Sequence, residues 1–146
     1  MRRVILLLTV LTAMATAKPH SVNNLVGSTM TEVYKHYLQA QCLNTKTSLG
    51  GVYWRLDPDT TVVVHHGTVI AQIVETPKHA IHGLKVGDSQ ETVEKKLGEC
   101  LENSVSFHSK SKMSLNYPNK GLRFWLKGGR VSRIVLFDKD FDSDDF

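Results

Sequence analysis

IHGLKVGDSQETVEKKLG, residues 81–98, opens the stretch that decides the fold, residues 81–136. Asp88 or Ser89 can serve as the N-cap of a helix, because both side chains accept hydrogen bonds from the first backbone N–H groups. Gly98 is typical of a helix end. Strands are predicted after it at residues 105–107, MSLNY (113–117), LRFWLK (122–127) and VSRIVLF (131–137), with a hairpin turn at Gly128-Gly129.

The same order of features occurs about sixty residues earlier. Thr29 and Glu32 have the spacing of a capping box, and apolar residues at three- and four-residue spacing predict a helix from Met30 to Gln41. A loop is predicted at residues 44–51, and strands are predicted at residues 52–56, 60–65 and 69–75.

Matching positions in the two halves indicate an internal repeat. Gly27 falls opposite Gly87 and Val33 opposite Val93, both at an offset of sixty. The alternative is a chance match, since many small α+β domains share the order of a helix and a hairpin. The sequence predicts an α+β fold of two tandem helix-then-antiparallel-hairpin units, about residues 22–76 and 81–137, within a single domain at residues 18–137.

Residues 1–17 have the pattern of an export signal. Arg2 and Arg3 precede a short apolar run, and Ala15-Thr16-Ala17 supplies a small-x-small cleavage site. The alternative, an N-terminal membrane anchor, is disfavoured because spanning a bilayer takes about 20 apolar residues. We therefore expect the mature chain to begin at Lys18, in the periplasm or outside the cell, without stable membrane insertion.

The charge is distributed unevenly along the chain. The formal charge of +4 falls to +2 without Arg2 and Arg3, and five aspartates crowd the acidic tail, residues 138–146. The body before the tail is therefore basic, but its cations are scattered, which argues against nucleic acid as a partner. The tail is either a mobile terminus or a segment that docks on a basic partner or on the domain's own basic sheet face.

Cys42 and Cys100 are the two cysteines of the chain. Export exposes them to an oxidising compartment, so one intramolecular disulfide is predicted, with two buried thiols as the alternative. Two cysteines do not complete a structural zinc site. Adjacent strand residues point to opposite faces, which disfavours a metal ion shared by His65 and His66. No metal site and no cofactor are predicted, and the sequence contains no nucleophile elbow or glycine-rich phosphate loop.

The second half resembles a known group of domains. The run Leu84-x-Val86-Gly87-Asp88-Ser89-x-x-x-Val93-x-x-x-Leu97-Gly98, followed by Tyr117-Pro118, Gly121-Leu122-x-Phe124 and Gly129-x-Val131-x-x-Ile134, is similar to the repeat of β-lactamase-inhibitory-protein-like domains. It also resembles small outer-membrane assembly lipoproteins of the same structural group, although the lipidation cysteine is missing. The resemblance implies one curved antiparallel sheet with helices packed on one face and a free face that binds proteins.

Strand alternation selects residues for such a face. Trp125 lies between Arg123 and Lys127 on the side of its strand that points away from the core residues. Trp and Arg dominate binding hot spots, so Trp125 is the first candidate for a partner contact. The corresponding candidates in the first half are Tyr53, Arg55 and His65. The alternative is that helix or tail residues cover this face and make Trp125 part of ordinary packing.

The sequence predicts an exported, non-enzymatic protein-binding domain. Its expected role is that of an inhibitor or immunity protein that blocks a secreted or envelope enzyme, or a toxin, through the free sheet face. The alternative is a soluble envelope assembly or maintenance factor that contacts membrane proteins or lipid. A small hydrolase or metal-dependent enzyme is a third hypothesis.

Overall fold

The computed structural model describes residues 20–21, 24–100, 102–105, 112–141 and 146. The predicted export signal lies outside the described residues. The elements follow one another as β1 (His20–Ser21), α1 (Met30–His36), β2 (Gln41–Lys46), β3 (Val52–Asp57), β4 (Thr60–His65), β5 (Thr68–Val74), β6 (His79–Ile81), β7 (Leu84–Lys85), α2 (Gln90–Leu97), β8 (Glu102–Val105), β9 (Lys112–Tyr117), a 3₁₀ turn (Pro118–Lys120), β10 (Leu122–Lys127) and β11 (Arg130–Phe137).

Eight of these strands form one antiparallel sheet in the order β2-β3-β4-β5-β11-β10-β9-β8. Each half of the chain supplies four neighbouring strands, and β5 pairs with β11 at the centre, where Val74 lies opposite Ile134. Strands β4 and β5 are rich in β-branched residues, which pack well on a pleated surface. A small second sheet has the order β1-β6-β7.

The fold class predicted from the sequence is wrong. The chain is mostly β, and each half is a helix followed by four strands rather than by a hairpin. Helix α1 buries only Val33 and helix α2 buries only Val93. Neither helix therefore offers the wide apolar stripe by which a helix covers a sheet. The predicted layer of helices is absent from the part of the chain that the structure describes.

Helix α1 is also shorter than predicted. It ends at His36, because Tyr37 has φ −126° and ψ 73°, outside the helical region. The chain then forms β2 at Gln41–Lys46, where the end of a helix and a loop were expected. Leu38, one of the apolar residues whose spacing predicted the longer helix, is 86% exposed.

The predicted helix starts are confirmed. The Thr29 hydroxyl accepts the Glu32 N–H at 3.3 Å, and the Thr29 N–H donates to the Glu32 carboxylate at 2.8 Å, which completes a capping box. In the second half, the Ser89 hydroxyl accepts the Thr92 N–H at 3.2 Å.

Equivalent backbone hydrogen bonds attach the start of each helix to the fourth strand that follows the helix, β5 in the first half and β11 in the second. The Gly27 N–H donates to the Val69 carbonyl, and the Gly87 N–H donates to the Val131 carbonyl, both at 2.8 Å. Both glycines have positive φ, +90° and +99°, a conformation that glycine adopts at little cost. The two halves share this pattern of contacts at the positions where the sequence matched best.

The sheet has two chemically different faces. The first face carries the two helix valines and most of the core, including Leu56, Val62, Val64, Leu115, Leu122, Phe124, Leu126 and Ile134. Residues that alternate with these point to the opposite side, which we call the second face. A separate apolar cluster lies there and contains Val63, Ile70, Ala71, Ile73, Val135, Phe137 and Phe146, with Tyr53, Trp125 and Phe141 packed against it.

The predicted disulfide is wrong. The described structure has no disulfide between Cys42 and Cys100. Cys42 is exposed on β2, one edge of the sheet, while Cys100 lies two residues before β8, the opposite edge. Strands lie about 4.8 Å apart, so the two edges are separated by roughly 30 Å. A disulfide requires Cα atoms within about 7 Å.

Candidate functional site

The second face is centred on a stacked pair of side chains. The Arg123 guanidinium lies over the Trp125 ring, 4.4 Å from its centroid, and donates to the Ser114 hydroxyl at 3.2 Å. Alternation along β10 puts both residues opposite Phe124, which is fully buried in the core. Arg123 is itself only 4% exposed, whereas Trp125 is partly exposed and Lys127 is exposed. The sequence-based assignment of these residues to one face agrees with this geometry.

The first half supplies the other predicted residues to the same face. Strand pairing places Tyr53 opposite Val63 and Arg55 opposite Thr61. Tyr53 packs against the apolar cluster, and Arg55 is exposed. His65 is partly buried at the end of β4. The face therefore presents partly buried aromatic rings beside exposed cations.

A third set of residues covers part of the second face. Phe146 is 8% exposed, and its ring stacks on Phe137 with centroids 6.2 Å apart. Phe141 packs edge-on against His65, with centroids 5.7 Å apart. The Asp138 N–H donates to the Ile70 carbonyl at 2.8 Å and so attaches the start of the tail to β5. The hypothesis that the tail docks on the domain's own sheet face agrees with these contacts.

The charge on this face is mainly positive. Arg55, Arg123, Lys127 and Arg133 all lie on it, and Arg133 faces Trp125 across β10 and β11. The Arg133 Nε donates to Glu75 at 2.6 Å. Glu75 and Arg55 also line a small open cavity with Asp59, Thr61 and Ile73. Sequence reasoning missed Arg133 because the sheet is irregular here, with a register shift in β11 between Arg133 and Val131.

One buried polar atom on this face is unsatisfied. The Trp125 indole Nε1 is buried and has no hydrogen-bond acceptor among the described residues. A buried N–H without an acceptor costs about 1–3 kcal/mol relative to a hydrogen-bonded one. This donor can therefore bond to an acceptor from outside the described residues.

The prediction that the side chains of His65 and His66 point to opposite faces is wrong. The rings lie close together, with centroids 4.0 Å apart, because His66 leaves the strand with φ +48°. Alternation therefore does not apply to this pair. In the part of the chain that the structure describes, no group of three or more His, Cys, Asp or Glu residues could hold a metal ion.

Comparisons with known proteins show only that the fold is similar to that of a solved structure. No protein-family model and no curated protein matches the sequence. A solved structure of an extracellular protein containing a SCP domain, from Bacillus anthracis str. Ames, is similar with a TM-score of 0.58 and 11% identity. The match covers 88% of this chain and 49% of that one, so this chain spans about half the length of the matched structure.

These findings leave several sequence-based expectations unsupported. The match does not bear on the resemblance to β-lactamase-inhibitory-protein-like domains, and the inhibitor and immunity descriptions find no support in it and are not retained. The envelope assembly hypothesis stays a prediction. Among the described helices, none is long and apolar enough to cross a membrane.

Proposed function

We propose that this chain is an exported protein-binding domain that contacts its partner through the second face. The observation that carries the proposal is the stack of Arg123 on Trp125, 4.4 Å apart, with the exposed Arg55 and Lys127 on the same face. Trp, Tyr and Arg are the residues that most often dominate binding energy at protein interfaces. They combine a large apolar surface with hydrogen-bond donors.

A binding role is preferred to a catalytic one because of the chemistry of these residues. Arginine and tryptophan side chains recognise carboxylates and flat apolar groups, but they are not the usual nucleophiles or general bases. The export signal predicted at residues 1–17 supports a location outside the cytoplasm. The structural neighbour is an extracellular protein, which also supports this location, although this chain matches only about half of that protein.

The test is site-specific photo-crosslinking in the exported fraction of cells that produce the full chain. A photoreactive amino acid replaces Arg55 or Lys127 on the second face, and Lys95, exposed on helix α2, provides the control position. The proposal predicts one shared product from positions 55 and 127 that is missing from position 95. Equal labelling from all three positions, or labelling from position 95 alone, would exclude the second face as the interface.

The captured partner then allows a direct affinity measurement. Trp125→Ala should weaken binding at least tenfold if Trp125 is a hot spot, which corresponds to about 1.4 kcal/mol. Tyr34→Ala removes a 40%-exposed aromatic ring that packs edge-on against Trp54 on the first face, and it should leave the affinity unchanged.

A further inference from the structure

The second face already holds a peptide segment, which is the chain's own tail. Phe146 is 8% exposed and stacks on Phe137, and Phe141 contacts His65. Both tail rings belong to the apolar cluster that also includes Tyr53 and Trp125. The chemistry of this occupant indicates which ligands the face accepts.

The tail sequence and the second face are opposite in charge. The tail sequence DKDFDSDDF has five aspartates and one lysine, with phenylalanine at positions 141 and 146. The face presents the exposed cations Arg55 and Lys127 and also carries the buried Arg123 and the Glu75-paired Arg133. An acidic segment with aromatic side chains therefore matches both the apolar cluster and the surrounding positive charge.

Within residues 138–141, one backbone hydrogen bond joins the tail to the sheet. Asp138 donates its N–H to Ile70 on β5. Within residues 138–141, the Phe141 N–H bonds to the Asp138 carbonyl and the Asp140 N–H bonds to the Asp138 carboxylate, so these bonds are local. Among the described tail residues, Phe141 and Phe146 contact the face through their side chains, which a competing segment can replace.

The Trp125 indole N–H is a donor to which a competing ligand could bond. With the tail in position, the Trp125 Nε1 is buried and has no acceptor among the described residues. A competing segment that supplied a carbonyl or carboxylate oxygen there would satisfy this donor. Binding of such a segment would then exchange an unsatisfied N–H for a hydrogen-bonded one.

We infer that the partner's binding segment is an acidic peptide with aromatic side chains, and that its rings take the places of Phe141 and Phe146 on the second face. This inference rests on the proposed function, since it names the chemistry of the partner that the face binds. The tethered tail competes at a high effective concentration and so sets the affinity that a partner must exceed.

The test uses a fluorescent synthetic peptide of residues 138–146, DKDFDSDDF, as the probe. Full-length protein is compared with full-length Phe146→Ala, in which the tail loses its most buried contact, and with Phe141→Ala as a second loosened variant. The inference predicts that at least one loosened variant binds the peptide tenfold or more tightly than the unmodified protein does. A peptide with alanine at both phenylalanine positions should bind at least tenfold more weakly, and added salt should weaken binding further.

Two results would overturn the inference. One is no peptide binding, or equal binding of the alanine peptide, by loosened variants that circular dichroism shows to be folded. The other is a dimer of the unmodified protein that becomes a monomer on Phe146→Ala, which would make the tail of a second copy the occupant. Photo-crosslinking from positions 55 and 127 without peptide binding would leave the second face as the interface and assign it a partner of different chemistry. Peptide binding without a crosslinked partner would instead count against the proposed function.

Discussion

The ring of Phe146 stacks on the ring of Phe137, with centroids 6.2 Å apart and planes 29° apart. Phe137 is the last residue of β11, and both rings belong to the apolar cluster of the second face. The contact brings the end of the sequence onto the strands that carry Trp125 and Val135. The face expected to be open is therefore partly covered by the protein itself.

Phe146→Ala should lower the free energy of unfolding by about 1.5–3 kcal/mol, the usual contribution of a buried phenylalanine ring. Urea denaturation measures this change. In a Trp54→Phe background, Trp125 is the one remaining tryptophan. Loss of the Phe146 ring should make the Trp125 ring more accessible to acrylamide, so its fluorescence should be quenched more strongly. Leu38→Ala is the control, because Leu38 is 86% exposed and its loss should change stability by less than about 0.5 kcal/mol. Unchanged quenching of Trp125 would show that the tail does not lie over this face.

The two helix caps should contribute equally and independently. Thr29→Ala and Ser89→Ala each remove a side-chain acceptor of the first helical N–H groups, and each should cost about 1 kcal/mol in urea denaturation. Because the caps lie in different halves of the chain, the double substitution should cost the sum of the two. Thr31→Ala, at an exposed position inside α1, should cost less than about 0.5 kcal/mol. A loss of stability in only one of the two single variants would mean that the Thr29 and Ser89 caps differ in energy.

Much of this local chemistry could be predicted from the sequence, and the reason is that it depends on neighbours in the chain. The capping box needs only Thr29 and Glu32, which are three residues apart. The alternation that placed Arg123 and Trp125 on one face is a property of a single strand. Features set within a few residues were therefore predicted well.

The predictions that were wrong concern contacts between distant parts of the chain. Gln41–Lys46 is polar and has no strand pattern, and it becomes β2 because it pairs with Trp54 and its neighbours on β3. The burial of Phe146 depends on a sheet surface assembled from both halves. The separation of Cys42 and Cys100 likewise follows from the order of the strands. No local pattern contains that information.

Gly121 should be far less tolerant of alanine than Gly128. Both have positive φ, +63° and +59°, so alanine is strained at either position. A Cβ atom on Gly121 would also lie 2.5 Å from the Phe137 carbonyl oxygen, whereas one on Gly128 would meet open space. We expect a cost of about 1 kcal/mol for Gly128→Ala and at least about 2 kcal/mol for Gly121→Ala. Equal thermal unfolding curves for the two variants would contradict the close approach of Gly121 to the end of β11.

Tyr117 should make the folded state sensitive to alkaline pH. Burial, with smaller contributions from Cys100 and Glu94, raises the pKa of Tyr117 to about 12, above the ordinary tyrosine pKa of 10.0. The unfolded chain then loses this proton at a lower pH than the folded chain does, so stability is retained below about pH 10 and falls as the pH rises from 10 towards 12.

Tyr117→Phe isolates this contribution. It removes the titrating hydroxyl and the hydrogen bond that the hydroxyl donates to the Gly98 carbonyl at 2.9 Å. The variant should be about 1 kcal/mol less stable at neutral pH. The difference from the unmodified protein should then shrink above pH 10, and a difference that stayed constant up to pH 12 would contradict the burial of the hydroxyl.

The tail-covered second face is the surface that we propose to bind a partner. The most direct measurement is the yield of crosslinked partner from a photoreactive residue at position 55, compared between the unmodified chain and Phe146→Ala. If the tail and the partner compete for this face, the yield should rise at least severalfold when Phe146 is lost, while position 95 stays unlabelled. A yield from position 55 that is unchanged or lower in folded Phe146→Ala protein would contradict the claim.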